Sequence, residues 1–400
     1  MSQVWQVRGF VTFSLLLAAG TLIHAMRVIV LSLLLDNRDF GAVSMILLIS
    51  TLFAEFGSLG LSQLVYNQRL FTPGVINRAS VNVSRFLLAG LAIIGMMAVV
   101  AALIIAALAP FNFTTLFLTL LCAATNTMIL AACRASKNKF THPVGFFLKS
   151  IVVLIDIAIL GMGNIEIASI ALWGEIIATP LLLFYIFRGK LIMPKRSIAR
   201  KILHLLMTNR RIATWAVISS MSSLIFFNQE RIAGALFVSL EQMGVISKMI
   251  LIKIIAAQCA FIFGTYFHRH LIASGGPERT VLFAKIRELE FQVYIALFVL
   301  CLVSSVPVIF AFDVIYRIEM NVLIATSVTI LAVLFFFNPF AILLQCSGRF
   351  DLITRCNLVA VGLFSVAMVF FNDTTQIVVA SAGASMLWYL LIRHAARKLI

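Results

Sequence analysis

The feature that most constrains this chain is a succession of apolar runs, each long enough to cross a bilayer, joined by short connectors. The runs fall at about 10–35, 42–66, 86–109, 114–133, 144–163, 167–187, 212–238, 244–267, 291–311, 320–345, 357–371 and 377–392. A spanning helix needs about 20 apolar residues, so twelve would use about 240 of them. Of the 400 residues, 62% are hydrophobic and 12% are charged, and the mean hydropathy is +1.08. No soluble core of this size hides that much apolar surface. A soluble enzyme, a secreted disulfide scaffold and a DNA-binding domain are therefore excluded. A transmembrane barrel is excluded as well, because its strands alternate polar and apolar residues and these runs do not. The expectation is an all-α polytopic membrane protein with about twelve transmembrane helices. The first run follows a single early Arg8 and is too long for a cleaved leader, so it reads as the first span.

The net charge of +16 is not spread evenly. Alternate connectors (1–9, 67–85, 133–143, 188–211, 268–290, 346–356 and 393–400) hold 24 of the 31 Lys and Arg, whereas the opposite connectors hold only Arg38 and Arg317. The positive-inside rule then puts both termini in the cytoplasm and requires an even number of spans. It also accounts for the basic charge without nucleic acid. The connectors on the outer side, such as Pro110–Phe113, Gly163–Glu166 and Asn372–Gln376, are too small for an extracellular domain. The cysteines Cys122, Cys133, Cys259, Cys301, Cys346 and Cys356 lack metal-type spacing and read as reduced thiols, with no metal site.

The connector 188–211 carries eight cations among Leu and Ile. It reads either as a topological anchor or as a segment lying along the anionic inner leaflet. It divides the chain into 1–187, a six-helix lobe, the linker 188–211, and 212–400, a second six-helix lobe. The lobes look related. Arg27 runs on to Asp36 and Phe40-Gly41, and Arg231 runs on to Met243-Gly244; the arginine-to-glycine spacings are 14 and 13. Six spans per half give both halves one orientation and a pseudo-two-fold axis along the membrane normal, an architecture of transporters.

Ionisable groups at membrane depth cost about 2.5–3.5 kcal/mol each on insertion scales. The cations in the spans are Arg27, Lys149, Arg231, Lys248 and Lys253; the acids are Glu55, Asp156, Glu175 and Glu230. Counting along the helices puts Arg27, Arg231 and Lys253 in one layer of the outer half, with His24 on the face of Arg27. A layer of like charge suits an anionic substrate, and arginine suits phosphate oxygens. The competing reading pairs Arg231 with Glu230 or Glu55. Lys248 is expected to snorkel to the outer surface and Lys149 to lie near the interface. Asp156 and Glu175 fall at one depth on neighbouring helices. Either they share a proton and couple transport to an ion, together with Glu55 and Glu230, or they are structural pairs, with Lys149 neutralising Asp156. Gly57, Gly60, Ala101, Ala102, Ala106 and Ala107 read as close-packing positions. No motif for phosphate cradling, zinc hydrolysis or a serine nucleophile occurs, so there is no catalytic residue and no cofactor.

Phe40-Gly41 opening the second span, then Glu55-Phe-Gly57-Ser-Leu-Gly60-Leu61 with Tyr66 and Arg69, and Asn228-Gln-Glu-Arg231 in the seventh, carry a resemblance. The chain resembles the polysaccharide-exporting branch of the multidrug/oligosaccharidyl-lipid/polysaccharide (MOP) exporter superfamily, most of all a Wzx-type O-antigen flippase. The resemblance implies two six-helix lobes in a MATE-like V shape around a cationic cavity. It implies a non-enzymatic transporter of the bacterial inner membrane. Its substrate would be undecaprenyl-pyrophosphate-linked glycan, and its partners membrane lipids, a polysaccharide polymerase and a chain-length regulator. Arg27, Arg231, Lys253 and His24 would line the cavity. The alternatives are a cation-coupled multidrug exporter of the same superfamily and a membrane enzyme of polysaccharide assembly. A lipid II flippase shares the mechanism. The orientation is tested with reporters fused after residues 112, 209 and 400: an enzyme active only in the periplasm should work at 112 alone, and activity at 209 or 400 would overturn the assignment.

Overall fold

The computed structural model of the protein describes residues 2–57, 94–103, 113–135, 141–161, 167–187, 210–250, 338–370 and 373–397, with 253, 264, 271, 280–288, 290–292, 294–295 and 298–299. All regular structure among them is helical. In hydrocarbon no water satisfies backbone N–H and C=O groups, so the helix, which bonds them internally, is the form these apolar runs adopt. The helices named here are α1 (Ser2–Leu34), α2 (Asn37–Gly57), α3 (Phe113–Ala135), α4 (Thr141–Gly161), α5 (Ile167–Phe187), α6 (Arg210–Phe227), α7 (Gln229–Phe237), α8 (Leu240–Met249), α9 (Pro339–Cys346), α10 (Phe350–Met368) and α11 (Thr374–Ala396). The span expected at 167–187 coincides with α5, and those expected at 114–133 and 377–392 lie inside α3 and α11.

The chain forms two compact units. The first comprises Met1–Val30 and Met45–Leu224, the second Leu31–Ser44 and Ile225–Ile400. The first unit packs Leu116, Leu120, Ala124 and Met128 of α3, a stripe at intervals of four, against Ile94, Ala98 and Ala102, with Phe53 and Leu182 beside them. In the second unit Phe340, Leu344, Ile353, Ala360, Trp388 and Ile392 form one cluster; Ala233, Ile246, Met249, Phe364 and Ile377 form another. Phe184, Phe237 and Phe370 are 72%, 72% and 74% exposed. Large apolar side chains turned outward belong to a surface solvated by lipid rather than water.

Polar residues set the helix ends. Asp36 accepts from the Asp39 N–H at 2.7 Å and starts α2. Ser239 and Gln242 form a reciprocal capping box at the start of α8. Asn338 accepts from the N–H groups of Phe340 and Ala341 ahead of Pro339, and starts α9. The α9 C-terminus closes on Gly348 at φ +70°, with Arg349 N–H bonded to the Leu344 carbonyl and Gly348 N–H to that of Gln345.

The repeat suggested by sequence is visible at two corners of the second unit. Leu34 and Phe237 end helices, Asp36 and Ser239 cap the next ones, and Gly41 and Gly244 sit five residues beyond each cap. Each pair differs by 203 positions. The two corners also pack on each other reciprocally. A Cβ on Gly41 would overlap the Leu240 carbonyl oxygen, and a Cβ on Gly244 would overlap the Asn37 carbonyl oxygen. Each glycine thus meets the residue four positions before the other. The structural register corrects the sequence alignment by one residue: the offset of the helix ends, caps and glycines aligns Arg27 with Glu230 rather than with Arg231. The halves differ in a second way. The run expected as one span at 212–238 is broken at Asn228, where α6 ends and α7 begins, whereas α1 is continuous.

Gly41→Ala and Gly244→Ala should each destabilise the purified protein by about 1–3 kcal/mol, because a backbone carbonyl must move. Gly362, with nothing within 4 Å of its Cβ position, should tolerate alanine and gain about 0.5–1 kcal/mol of helix stability. Thermal unfolding of all three variants checks this; a wild-type midpoint for Gly41→Ala would show that the crossing is loose.

Candidate functional site

Each unit holds a buried polar cluster. In the first, α5 presents Glu175, which is 8% exposed. The Lys149 ammonium of α4 lies 2.9 Å from its Oε1. The Asn126 amide of α3 donates to its Oε2 at 2.7 Å and to its backbone carbonyl at 3.1 Å. The Thr179 hydroxyl donates to that same carbonyl at 2.8 Å. Pro180 lies inside α5 and lacks the N–H that would bond the Ile176 carbonyl. Arg27 of α1 is buried at 4% exposure and acts electrostatically on both Glu175 and His24. The His24 ring lies 6.2 Å from that of Phe146. Three helices beside α1 therefore bring a carboxylate, a lysine and an amide together near Arg27.

Burial requires this completeness. An unpaired carboxylate in a low-dielectric interior carries a large desolvation penalty, which a cation and a hydrogen-bond donor together offset. Lys149, expected near the interface, instead neutralises Glu175, because α4 and α5 pack side by side and place the two groups at one level. The expected carboxylate pair of Asp156 and Glu175 has one member here; the Asp156 and Glu55 side chains lie outside the described residues.

In the second unit, α7 begins at the break after Asn228, and its first turn presents Gln229, Glu230 and Arg231. Glu230 is 1% exposed and forms an ion pair with Lys253. Lys253 also reaches the Ser381 hydroxyl of α11 at 3.4 Å, and the Gln229 amide donates to that hydroxyl at 3.0 Å. Two groups expected in separate roles, Lys253 in a substrate cavity and Glu230 in ion coupling, are thus partners in one pair. Glu230 gives one oxygen, Oε1, to Lys253; its Oε2 and the Nε of the neighbouring Arg231 are both buried with no hydrogen-bond partner among the described residues, and Glu230 acts on Arg231 electrostatically. Lys248 does not snorkel. It is 2% exposed, donates to Asn37 Oδ1 at 2.7 Å and stands 5.8 Å over the Phe40 ring. The glycine crossing draws the α1–α2 corner over α8, and Asn37 then supplies the oxygen that water would have supplied.

Some residues of these clusters gave no charge signal in the sequence. Asn126 and Ser381 are uncharged polar residues inside apolar runs. Gln229 reads only as a neighbour of Glu230. A third network joins Glu290 to Tyr294 and Tyr389, whose hydroxyls both donate to Glu290 Oε1 at 2.9 Å, and Arg393 donates to the Tyr389 hydroxyl at 3.1 Å. Sequence reasoning assigned Glu290 to a connector. The signal that could have found it is its spacing from Tyr294, one helical turn. No group of His, Cys, Asp and Glu among the described residues has the arrangement of a metal site.

No protein-family model matches the sequence, and no curated protein matches it. Solved structures do. One is a MATE transporter in complex with MaL6, at 15% identity and TM-score 0.65, covering 98% of this chain and 96% of that one. Another is a multidrug resistance MATE family transporter of the MOP superfamily in an outward-facing conformation, at 14% identity and TM-score 0.63, with coverages of 98% and 96%. A third is a eukaryotic MATE transporter, at 10% identity and TM-score 0.69, with coverages of 99% and 98%. These likenesses span essentially the whole chain and establish its fold class as the all-α polytopic fold of MATE transporters.

The Lys149–Glu175 pair makes a direct test. Lys149→Met alone and Glu175→Gln alone should each cost about 3 kcal/mol, since each leaves a buried charge or its partners unmatched. The double variant should come back to within about 1 kcal/mol of wild type. Additive losses in a double-mutant cycle of unfolding free energies would show that the two groups act independently.

Proposed function

We propose that the protein is an exporter of the MOP type that carries undecaprenyl-pyrophosphate-linked oligosaccharide from the cytoplasmic to the periplasmic leaflet of a bacterial inner membrane. One observation carries the reading. The two described intramembrane carboxylates are taken up by lysines, Glu175 by Lys149 and Glu230 by Lys253, and Arg231 keeps a buried donor with no acceptor among the described residues. A guanidinium in that condition suits an incoming anion, and its forked donors match phosphate oxygens. Arg27 is a second buried guanidinium, in the first unit. The whole-chain likeness to transporters supports the carrier part of the reading.

The physics of the load agrees. A polar glycan does not cross hydrocarbon unaided, and a pyrophosphate carries about two negative charges. An inside-negative potential drives each negative charge outward with about 2.3 kcal/mol per 100 mV. If Arg27 and Arg231 neutralise the load, the potential acts instead on the return of the emptied cationic site. In this proposal both termini are cytoplasmic, the chain divides at the basic linker 188–211, and polymerase and chain-length regulator act on the delivered unit. Residues 188–209 of that linker lie outside the described residues.

Arg27→Ala and Arg231→Ala should each reduce surface glycan at least tenfold while membrane-inserted protein stays at wild-type level; Arg231→Lys should keep part of the activity. Glycan staining and membrane immunoblots read this out. Full glycan display in both alanine variants would overturn the proposal. A second reading, cation-coupled multidrug export, is supported by the multidrug resistance transporter among the similar structures. It expects drug efflux that is lost in Glu230→Gln and indifferent to Arg231→Ala.

A further inference from the structure

The second unit carries a cavity of about 400 Å³ between the start of α10 and the end of α11. Part of its lining, here called the rim, is basic: Arg349, Arg355 and His394. The rest, here called the floor, is apolar: Leu352, Cys356, Val359, Leu391 and Ala395. Residues 352, 355 and 359 share one face of α10, and 391 and 394 share one face of α11, so the two helix faces build a single groove. The Gly348 turn that closes α9 sets Arg349 at its mouth.

The charges are mainly positive. Asp351 hydrogen-bonds Arg349 at 3.1 and 3.3 Å, and that bond raises the Arg349 pKa above its ordinary value. Neither Arg355 nor His394 has a carboxylate partner among the described residues. From this rim the surface continues as hydrocarbon-facing side chains: Leu358, Leu363 and Leu390 are 57%, 52% and 61% exposed. A free anion has no use for that floor, and an apolar ligand has no use for the rim. A molecule with a phosphate at one end and acyl chains at the other matches both.

We propose that this groove is a binding site for an anionic phospholipid, its phosphate held by Arg355, His394 and Arg349 and its chains laid along Val359 and Leu391. The groove shares no lining residue with the clusters of Arg27 and Arg231, and the proposal holds whatever the protein transports. Basic pockets at helix ends on the cytoplasmic side are suited to such headgroups, and the charge asymmetry of the connectors puts these two helix ends on that side.

The test uses native mass spectrometry of the purified full-length protein titrated with phosphatidylglycerol, phosphatidylcholine or inorganic phosphate. Wild type should retain phosphatidylglycerol at least tenfold better than phosphatidylcholine. The double variant R355Q/H394Q should lose about tenfold in phosphatidylglycerol retention, while R211Q, a basic site at the start of α6, should match wild type. R355K, which keeps the charge, should stay within about threefold of wild type and so separate binding from folding. Equal retention of the two lipids, unchanged retention in R355Q/H394Q, or displacement of phosphatidylglycerol by millimolar inorganic phosphate would each overturn the proposal, the last by showing a site for a free anion.

Discussion

A charge placed in hydrocarbon persists only where another group takes it up, and both units are organised around that requirement. Glu175 holds α3, α4 and α5 together because Asn126 and Lys149 come from the first two and the carboxylate from the third. Glu230 does the same for α7, Lys253 and α11. Apolar side chains do not discriminate between a neighbouring helix and lipid tails, so polar contacts and close packing decide which helices associate. The buried pairs therefore specify the packing even where their net stabilisation is small.

Close packing supplies the other half. Gly41 and Gly244 let two helix starts touch at their backbones, each against the carbonyl four residues before the other. That contact is reciprocal between the two corners. It also has a consequence for charge: Asn37 is brought onto Lys248, which stays buried instead of reaching for the surface. One pair of missing Cβ atoms thus changes the environment of a lysine one helical turn beyond Gly244.

Much of the fold was legible before any coordinates. Run length alone places α3, α5 and α11, because a bilayer fixes how long an apolar helix must be. The duplicated corner was legible too, through its glycines. What misled the alignment was charge. Matching Arg27 to Arg231 pairs like charges, yet the helix ends, caps and glycines share one offset that matches Arg27 to Glu230. The break at Asn228 was also hidden, since the run is apolar up to Phe227 and again from Ile232, and the polar stretch Asn228–Arg231 between them reads as functional groups at depth rather than as a helix start. At the candidate site, sequence identified Glu175, Glu230, Lys253 and Arg231 as groups needing an explanation, but not their partners. Asn126 and Ser381 carry no charge, and nothing in a one-dimensional pattern separates such residues from their helix-face neighbours.

The sequence by itself determined that the chain spans a membrane many times as helices, which connectors are basic, and which ionisable groups lie at depth. These follow from local composition and from the uniform thickness of the solvent slab. Only the tertiary structure decided which acid meets which base, that Lys248 is buried, and that Arg231 is left with an unfilled donor beside a Glu230 whose Oε1 goes to Lys253. Those outcomes depend on helix rotation and neighbour choice, which are set by contacts between residues tens to hundreds of positions apart.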